Sequence, residues 1–205
     1  MPRRTNQLKP NKTFLIVVEG QTEQIYFSEM KSLERIPGVT ITPKLAKHSS
    51  VKTILETAIR ECETGTFDSV WCVFDRDTIL KDGISKDLQD LFDDAKELKI
   101  NFSDSFPAFE IWFLLHYKMP KRSYENQDEV IKDLQKHLAD YSKEKRWLLR
   151  ENLYLKLKSQ LQNAISNAEK LEDADGEQAS EACTRCNFHK LFKEVEKTSL
   201  QTAYI

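Results

Sequence analysis

The stretch Thr13-Phe-Leu-Ile-Val-Val-Glu19-Gly20-Gln21-Thr22-Glu23 decides the fold predicted for this chain. Five apolar residues run without a break through 14–18 and end on a glutamate and a glycine. An apolar run that stops at a turn signal is typical of a strand buried on both faces of a parallel sheet. Glu19 would then lie at the carboxyl end of a central strand, where open α/β sheets place their ligands. A carboxylate in that position is costly unless it is paired or holds a cation.

Strand-like and helix-like segments alternate along the first half of the chain. Four strands are predicted at 13–18, 39–43, 68–74 and 99–102, separated by helices at about 22–35, 50–64 and 84–98. This alternation predicts an α/β fold with a four-stranded, mostly parallel sheet flanked by helices. Pro43 places the second strand at an edge of that sheet, because proline cannot donate to a ladder hydrogen bond.

The second half of the chain has helical patterns only. A buried helix is predicted from Pro107 to Tyr117, because its apolar residues point nearly all round. Further helices are predicted at about 126–139, at 143–173 with a break near 150, and at 184–197. The predicted organisation is a basic flexible arm over 1–12, an α/β catalytic core over 13–117, and a helical C-terminal region over 118–205 that packs on the core.

Composition and charge exclude several classes of protein. With 40% hydrophobic residues in 205, the chain can bury a sizeable core. The net charge of -2 excludes a polycation, so any nucleic-acid contact must come from local basic patches. No apolar run reaches the roughly 18 residues of a membrane span, and the N-terminus lacks the apolar region of a secretory signal. Four sparse cysteines argue against a disulfide framework, which makes the cytoplasm the expected compartment.

Four acids stand where this sheet would bring them together. Glu19 and Asp75 each end an apolar strand, and the carboxyl ends of parallel strands meet at one rim. Asp77 points the same way as Asp75 if the backbone stays extended. Crowded carboxylates repel, and oxygen ligands suit Mg²⁺ or Mn²⁺, so Glu19, Asp75 and Asp77 are predicted to hold such a cation for phosphodiester chemistry. Glu110, inside the most apolar helix, is the fourth candidate because an ionised group there needs a partner.

Simpler interpretations of these acids stay open. The sequence Asp75-Arg76-Asp77 could be a turn, because aspartate favours strand ends and helix caps. Glu19 could pair with Lys12 or Arg76, or accept hydrogen bonds from backbone N–H groups.

Two other groups of residues have chemistry to offer. Basic residues interleaved with Trp147 and Tyr154 suit a nucleic-acid backbone, although a solvated helix face has the same pattern. The predicted nucleic-acid contacts are Lys118, Lys121, Arg122, Lys145 and Arg146.

Cys183, Cys186 and His189 have the spacing of zinc ligands. A closed zinc site needs a fourth ligand, however, and none is evident nearby. The alternatives are a redox pair or two small residues at the start of a helix, and the sequence leaves the role of this group open.

A strand that ends Glu-Gly, followed by an apolar strand that ends Asp-x-Asp, resembles the Toprim domain of topoisomerases, primases and nucleases related to the overcoming-lysogenization-defect (OLD) family. The fuller resemblance is to the RloB-like family of bacterial defence and abortive-infection loci. Four pieces carry it: Phe14-Leu-Ile-Val-Val-Glu-Gly-Gln-Thr-Glu23, Val73-Phe-Asp-Arg-Asp77, Ser105-Phe-Pro-Ala-Phe-Glu-Ile-Trp-Phe-Leu-Leu-His116 and Tyr141-Ser-Lys143. An Asn-Pro segment that relatives tend to carry before the last helix is missing here.

The resemblance implies a Toprim-like sheet and metal-dependent cleavage of RNA, such as tRNA, or of DNA. Glu19 matches the Toprim glutamate, Asp75 and Asp77 match the metal-binding pair, and Glu110 and Lys143 complete the implied catalytic set. The resemblance also implies a partner ATPase of the AAA or ABC type, and it allows a homodimer. The alternative is a non-catalytic subunit that uses the same scaffold to dock on such an ATPase.

Overall fold

The computed structural model describes residues 11–36, 39–48, 50–175 and 183–203. Its centre is one five-stranded sheet in the order β2-β1-β3-β4-β5. The three pairings among β1 to β4 are parallel, and β4 pairs with β5 in the antiparallel sense. The strands are β1 Lys12–Val18, β2 Val39–Leu45, β3 Ser69–Asp75, β4 Asn101–Phe106 and β5 Arg185–Cys186.

Ten α-helices surround this sheet within the described residues. Those of the first half are α1 Gln21–Glu34, α2 Val51–Glu63, α3 Asp77–Asp82, α4 Lys86–Glu97 and α5 Glu110–Leu115. Those of the second half are α6 Gln127–Leu134, α7 Lys145–Glu151, α8 Leu153–Leu157, α9 Leu161–Asp175 and α10 His189–Ala203. None of the helices in this described part is long and apolar enough to cross a membrane.

The alternation of side chains along β1 divides the core into two layers. Phe14, Ile16 and Val18 pack with α1, α5 and the helices of the second half. Leu15 and Val17 pack on the other face with α2 and α4. Every residue of the apolar run is therefore buried, which is the environment that an uninterrupted apolar run predicts.

The predicted α/β class, the mostly parallel sheet flanked by helices and the helical C-terminal part are confirmed. The four predicted strands are all present, and β2 lies at an edge as Pro43 indicated. The sheet has one strand more than predicted, because residues 185–186 leave the helical region and pair with β4. The predicted helix over 184–197 therefore begins only at His189.

Further boundaries differ from the predictions. The strand expected at 99–102 spans Asn101–Phe106, and the helix expected at about 126–139 ends at Leu134. The segment expected to be a polar loop after Asp77 forms the short helix α3. The helix expected to begin at Pro107 begins at Glu110. The predicted break near 150 occurs at Asn152, whose φ of 48° is left-handed and separates α7 from α8. The predicted basic arm covers residues 1–12. Its first ten residues lie outside the described residues, and of the remaining two Lys12 already belongs to β1.

Candidate active site

Glu19 and Asp75 meet at the carboxyl rim of the sheet. Strands β1 and β3 are parallel neighbours with Val18 opposite Val73, so the residues that follow them emerge side by side. The Glu19 carboxylate turns toward β3 and accepts a hydrogen bond from the backbone N–H of Asp75, with 3.1 Å between Oε2 and N. The Asp75 carboxylate accepts a hydrogen bond of 2.6 Å from the Ser105 hydroxyl on β4.

Asp77 lies beside them at the first position of α3. Its carboxylate is 3.1 Å from the Lys81 ammonium one turn along that helix. Glu19, Asp75 and Asp77 together line a cleft of about 620 Å³. The same cleft is lined by residues 125–128, where α6 begins. The three acids predicted to hold metal are thus gathered at the carboxyl end of the sheet, where Glu19, Asp75 and Asp77 form an acidic rim.

Glu23 is a site acid that the sequence reasoning missed. It lies in the first turn of α1 and is only 6% exposed, and its Oε2 has no hydrogen-bond partner among the described residues. Gly20 leaves room for it, because a Cβ at position 20 would come within 2.6 Å of that oxygen. The sequence spacing could have indicated this burial, because Glu23 precedes the buried Tyr26 by three residues and therefore lies on the same face of α1.

Glu110 is fully buried at the start of α5 and joins three segments of the chain. Its Oε1 accepts a hydrogen bond from the Tyr141 hydroxyl at 2.8 Å and lies 3.2 Å from the Lys143 ammonium. Its Oε2 accepts a hydrogen bond from Nε2 of Gln127 at 2.9 Å. Gln127 belongs to α6, whereas Tyr141 and Lys143 lie in the loop before α7, so Glu110 ties both segments to α5. The contact with Glu110 fixes Lys143 beside the acidic rim.

Burial and mutual repulsion raise the pKa values of three of these acids, Glu19, Glu23 and Asp75. Burial raises the pKa of Asp75 well above its usual range, and the charges of Glu23, Glu110 and Glu19 add to this. Burial also raises the pKa of Glu19, against the hydrogen bond from Asp75. The pKa of Glu23 rises to about 7, again because of burial and then because of Glu110.

Lys143 is the cation within this acidic group. Burial lowers its pKa, but the attraction of Glu110, Glu23 and Asp75 outweighs burial, so the pKa of Lys143 is raised. The ammonium is therefore held charged beside these carboxylates. The surplus of carboxylates over cations favours the binding of a divalent cation, since carboxylate oxygens are the ligands that such cations take.

The raised pKa of Glu23 predicts a pH dependence of stability. In EDTA, the free energy of unfolding should fall as pH rises from about 4.5 to about 7, because the unfolded chain releases this proton first. Glu23→Gln should restore up to about 3 kcal/mol above pH 7. Urea unfolding of both proteins at several pH values measures this. The exposed Glu56→Gln on α2 is the control, and an equal pH dependence in wild type and Glu23→Gln would contradict the prediction.

The family model for RloB-like proteins matches residues 14–195. The chain belongs to the RloB-like family. No curated protein and no solved structure matches this RloB-like chain significantly. The matched range contains all the rim acids, Glu110 and Lys143, so the gathered site lies within the part that defines the family.

The rim of this RloB-like chain has suitable donors for a hard divalent cation. Carboxylate oxygens are the ligands that Mg²⁺ and Mn²⁺ prefer, and Glu23 has an unsatisfied buried oxygen beside them. Across residues 11–36, 39–48, 50–175 and 183–203, no three His, Cys, Asp or Glu side chains form a ready-made metal cage. Mg²⁺ usually binds through one or two carboxylates plus waters and substrate phosphates, so the donor chemistry fits this mode of binding.

The predicted nucleic-acid contacts of the RloB-like chain divide into two groups. Lys118 pairs with Asp133, and Arg122 lies 3.1 Å from Glu129, so both cations are engaged within the second half of the chain. The other three are exposed: Lys121, Lys145 and Arg146.

The cysteine and histidine group does not form a zinc site among the described residues. Cys186 is buried in β5, where burial raises the pKa of its thiol. His189 lies 3.1 Å from Glu172 through Nε2. The Cys-x-x-Cys spacing therefore spans the entry of the chain into β5 and not the start of a helix.

Proposed function

We propose that this RloB-like protein is a metal-dependent endonuclease with a Toprim-like active site. The observation that supports this proposal is the gathering of Glu19, Asp75 and Asp77 in one cleft, with the buried Glu23 and with Lys143 beside them. Carboxylates with raised pKa values in a cleft are typical of functional sites. RNA, including tRNA, or DNA is the proposed substrate, and the proposed setting is a cytoplasmic antiviral or abortive-infection system.

Each residue has a proposed task in phosphodiester cleavage. Glu19, Asp75 and Asp77 would hold Mg²⁺ or Mn²⁺, which when bound supplies Lewis-acid stabilisation of a phosphate and lowers the pKa of water. Glu23 would add a further carboxylate from the floor of the site. Lys143, held by Glu110 at 3.2 Å, would bind a phosphate oxygen of the substrate. Residues 125–128 line the same cleft, so they would limit where the strand can lie.

Docking on a partner ATPase of the AAA or ABC type is the second proposed role. It is favoured by large apolar side chains on the helices of the second half: Leu149, Leu155 and Leu200 are each more than half exposed. Exposed apolar side chains contribute to a protein–protein interface when they lie together in one patch. If docking were the whole function, the protein would bind the ATPase and cleave nothing.

A cleavage assay tests the proposal. Purified protein is incubated with total tRNA and with plasmid DNA, in Mn²⁺, in Mg²⁺ or in EDTA. Each incubation is carried out with and without the proposed partner ATPase. We expect cleavage of at least one substrate with metal and none in EDTA. Absence of cleavage under every condition, with no metal binding by calorimetry and tight ATPase binding, would support docking alone.

A further inference from the structure

The buried carboxylate of Asp104 on β4 holds two arginines side by side. Arg76, which follows β3, places Nη1 at 3.1 Å from Oδ2 of Asp104. Arg185, on β5, places Nε at 3.3 Å from the same oxygen. The Asp104 side chain is 7% exposed, whereas those of Arg76 and Arg185 are 24% and 35% exposed. The carboxylate is thus covered by the two guanidinium groups, which keep a solvent-facing side.

One of these arginines is in excess of what Asp104 needs. The two guanidinium groups carry one positive charge more than the Asp104 carboxylate that they share, and Arg185 is also attracted by the Glu172 carboxylate. Asn187 already joins β5 to Asp104 by three hydrogen bonds. The backbone N–H of Asn187 donates to the backbone oxygen of Asp104 at 3.2 Å, and Nδ2 of Asn187 donates to Oδ1 of Asp104 at 2.5 Å. Oδ1 of Asn187 accepts a hydrogen bond from the backbone N–H of Asp104 at 2.6 Å. The attachment of β5 therefore does not explain why both arginines are gathered there.

The arginine pair keeps unused hydrogen-bonding capacity. Each guanidinium has five N–H donors, and the described contacts with Asp104 use only part of them. The Nε atoms of Arg76 and Arg185 are both buried and have no hydrogen-bond partner in the described part of the chain, so the exposed part of each guanidinium is what remains for a phosphate. Paired guanidinium groups with free, forked donors are suited to phosphate oxygens.

The position of Arg76 connects the pair to the acidic rim. It stands between Asp75 and Asp77, so its Cα is about 3.8 Å from the Cα of each. Its backbone N–H donates to the oxygen of Ser105 at 2.8 Å, which fixes it at the same end of the sheet. Asp75 faces the layer of α1 and α5, while Arg76 turns to the other face with Asp104. The arginine pair therefore lies at the same end of the sheet as the acids, and Arg76 is one residue away from both Asp75 and Asp77 in the chain.

We propose that Arg76 and Arg185 form a subsite for a backbone phosphate of the bound nucleic acid, adjacent to the phosphate that is cut at the acidic rim. This inference rests on the proposed nuclease function. Asp104 is a positioning residue, because it contacts both guanidinium groups without using all their donors. The subsite fixes the register of the strand and carries no base specificity, as phosphate contacts generally do.

The test measures the salt dependence of binding. Protein carrying Glu19→Gln, which is expected to bind without cutting, is titrated with a fluorescently labelled RNA and with DNA of the same sequence at several salt concentrations. Adding Arg76→Gln or Arg185→Gln should weaken binding and reduce the slope of log K against log salt by about 0.7–0.9 per lost phosphate contact. Either single variant leaves Asp104 with one arginine and Asn187, so the fold should be retained.

Two controls separate this subsite from general charge effects. Arg60→Gln removes a cation paired with Glu61 at the far end of α2, and Lys96→Gln removes one paired with Asp93 at the far end of α4. Both should leave the slope unchanged. Binding with an unchanged slope in the Arg76 and Arg185 variants would overturn the subsite and spare the nuclease proposal. No binding of either nucleic acid would overturn both.

Discussion

Replacement of Glu19 by glutamine should lower metal-dependent cleavage by about a thousandfold and leave the fold intact. The amide keeps an acceptor for the Asp75 N–H but cannot supply a charged metal ligand. Loss of several kcal/mol of transition-state stabilisation, the amount typical of a bound metal ion, corresponds to this factor. The measurement is the single-turnover cleavage rate in Mn²⁺, with thermal unfolding as the check on folding.

Two variants make the Glu19 result specific. Glu19→Ala should lose cleavage to the same degree, because the shared effect is removal of the carboxylate. Glu56→Gln, an exposed acid on α2 away from the rim, should cleave at the wild-type rate. If Glu19→Gln cleaves as fast as wild type in protein free of contaminating nuclease, the rim is not the active site.

Replacement of Glu110 by alanine should destabilise the protein by about 2–4 kcal/mol. It leaves Tyr141, Gln127 and Lys143 without the acceptor that they share. The expected loss is below that of a fully buried ion pair, because the Lys143 side chain is 43% exposed. For a chain of this length the loss corresponds to a decrease in Tm of roughly 5–15 °C.

Comparison with Glu110→Gln and Lys143→Gln separates stability from catalysis. Glu110→Gln keeps hydrogen-bonding capacity in the buried site, so it should lose less stability than alanine while still releasing the charge that fixes Lys143. Lys143→Gln should lower the cleavage rate, and it should lower Tm by less than Glu110→Ala does, because Tyr141 and Gln127 still donate to Glu110. Equal Tm values for wild type and Glu110→Ala would show that the three donors do not depend on this carboxylate.

The central strands were predictable because their physical signal is local. The apolar runs that end at Glu19 and Asp75 require burial on both faces, and burial on both faces requires a sheet covered on both sides. Strand β5 could not be predicted in this way, since two residues carry no periodicity. Its existence depends on the long-range bonds between Asn187 and Asp104, which no local pattern encodes.

The gathering of Glu19 with Asp75 was predictable from strand direction, but the full acidic group was not. Glu23 was passed over because a glutamate in the first turn of a helix is ordinarily a solvated residue that favours the helix dipole. Its burial follows from its place on the same face as Tyr26. The partners of Glu110 come from segments 17 and 31 residues further along, so its role required the tertiary structure.

Strand β5 also has a consequence for the order in which the molecule forms. Its contact with β4 spans 83 residues between Asp104 and Asn187, and contacts so distant in sequence close late because of their loop-closure entropy. During synthesis the ribosome delivers β1 to β4 long before β5. We therefore expect the outer side of β4 to remain an open edge in the nascent chain, vulnerable to pairing with other chains, until the last helix is being made.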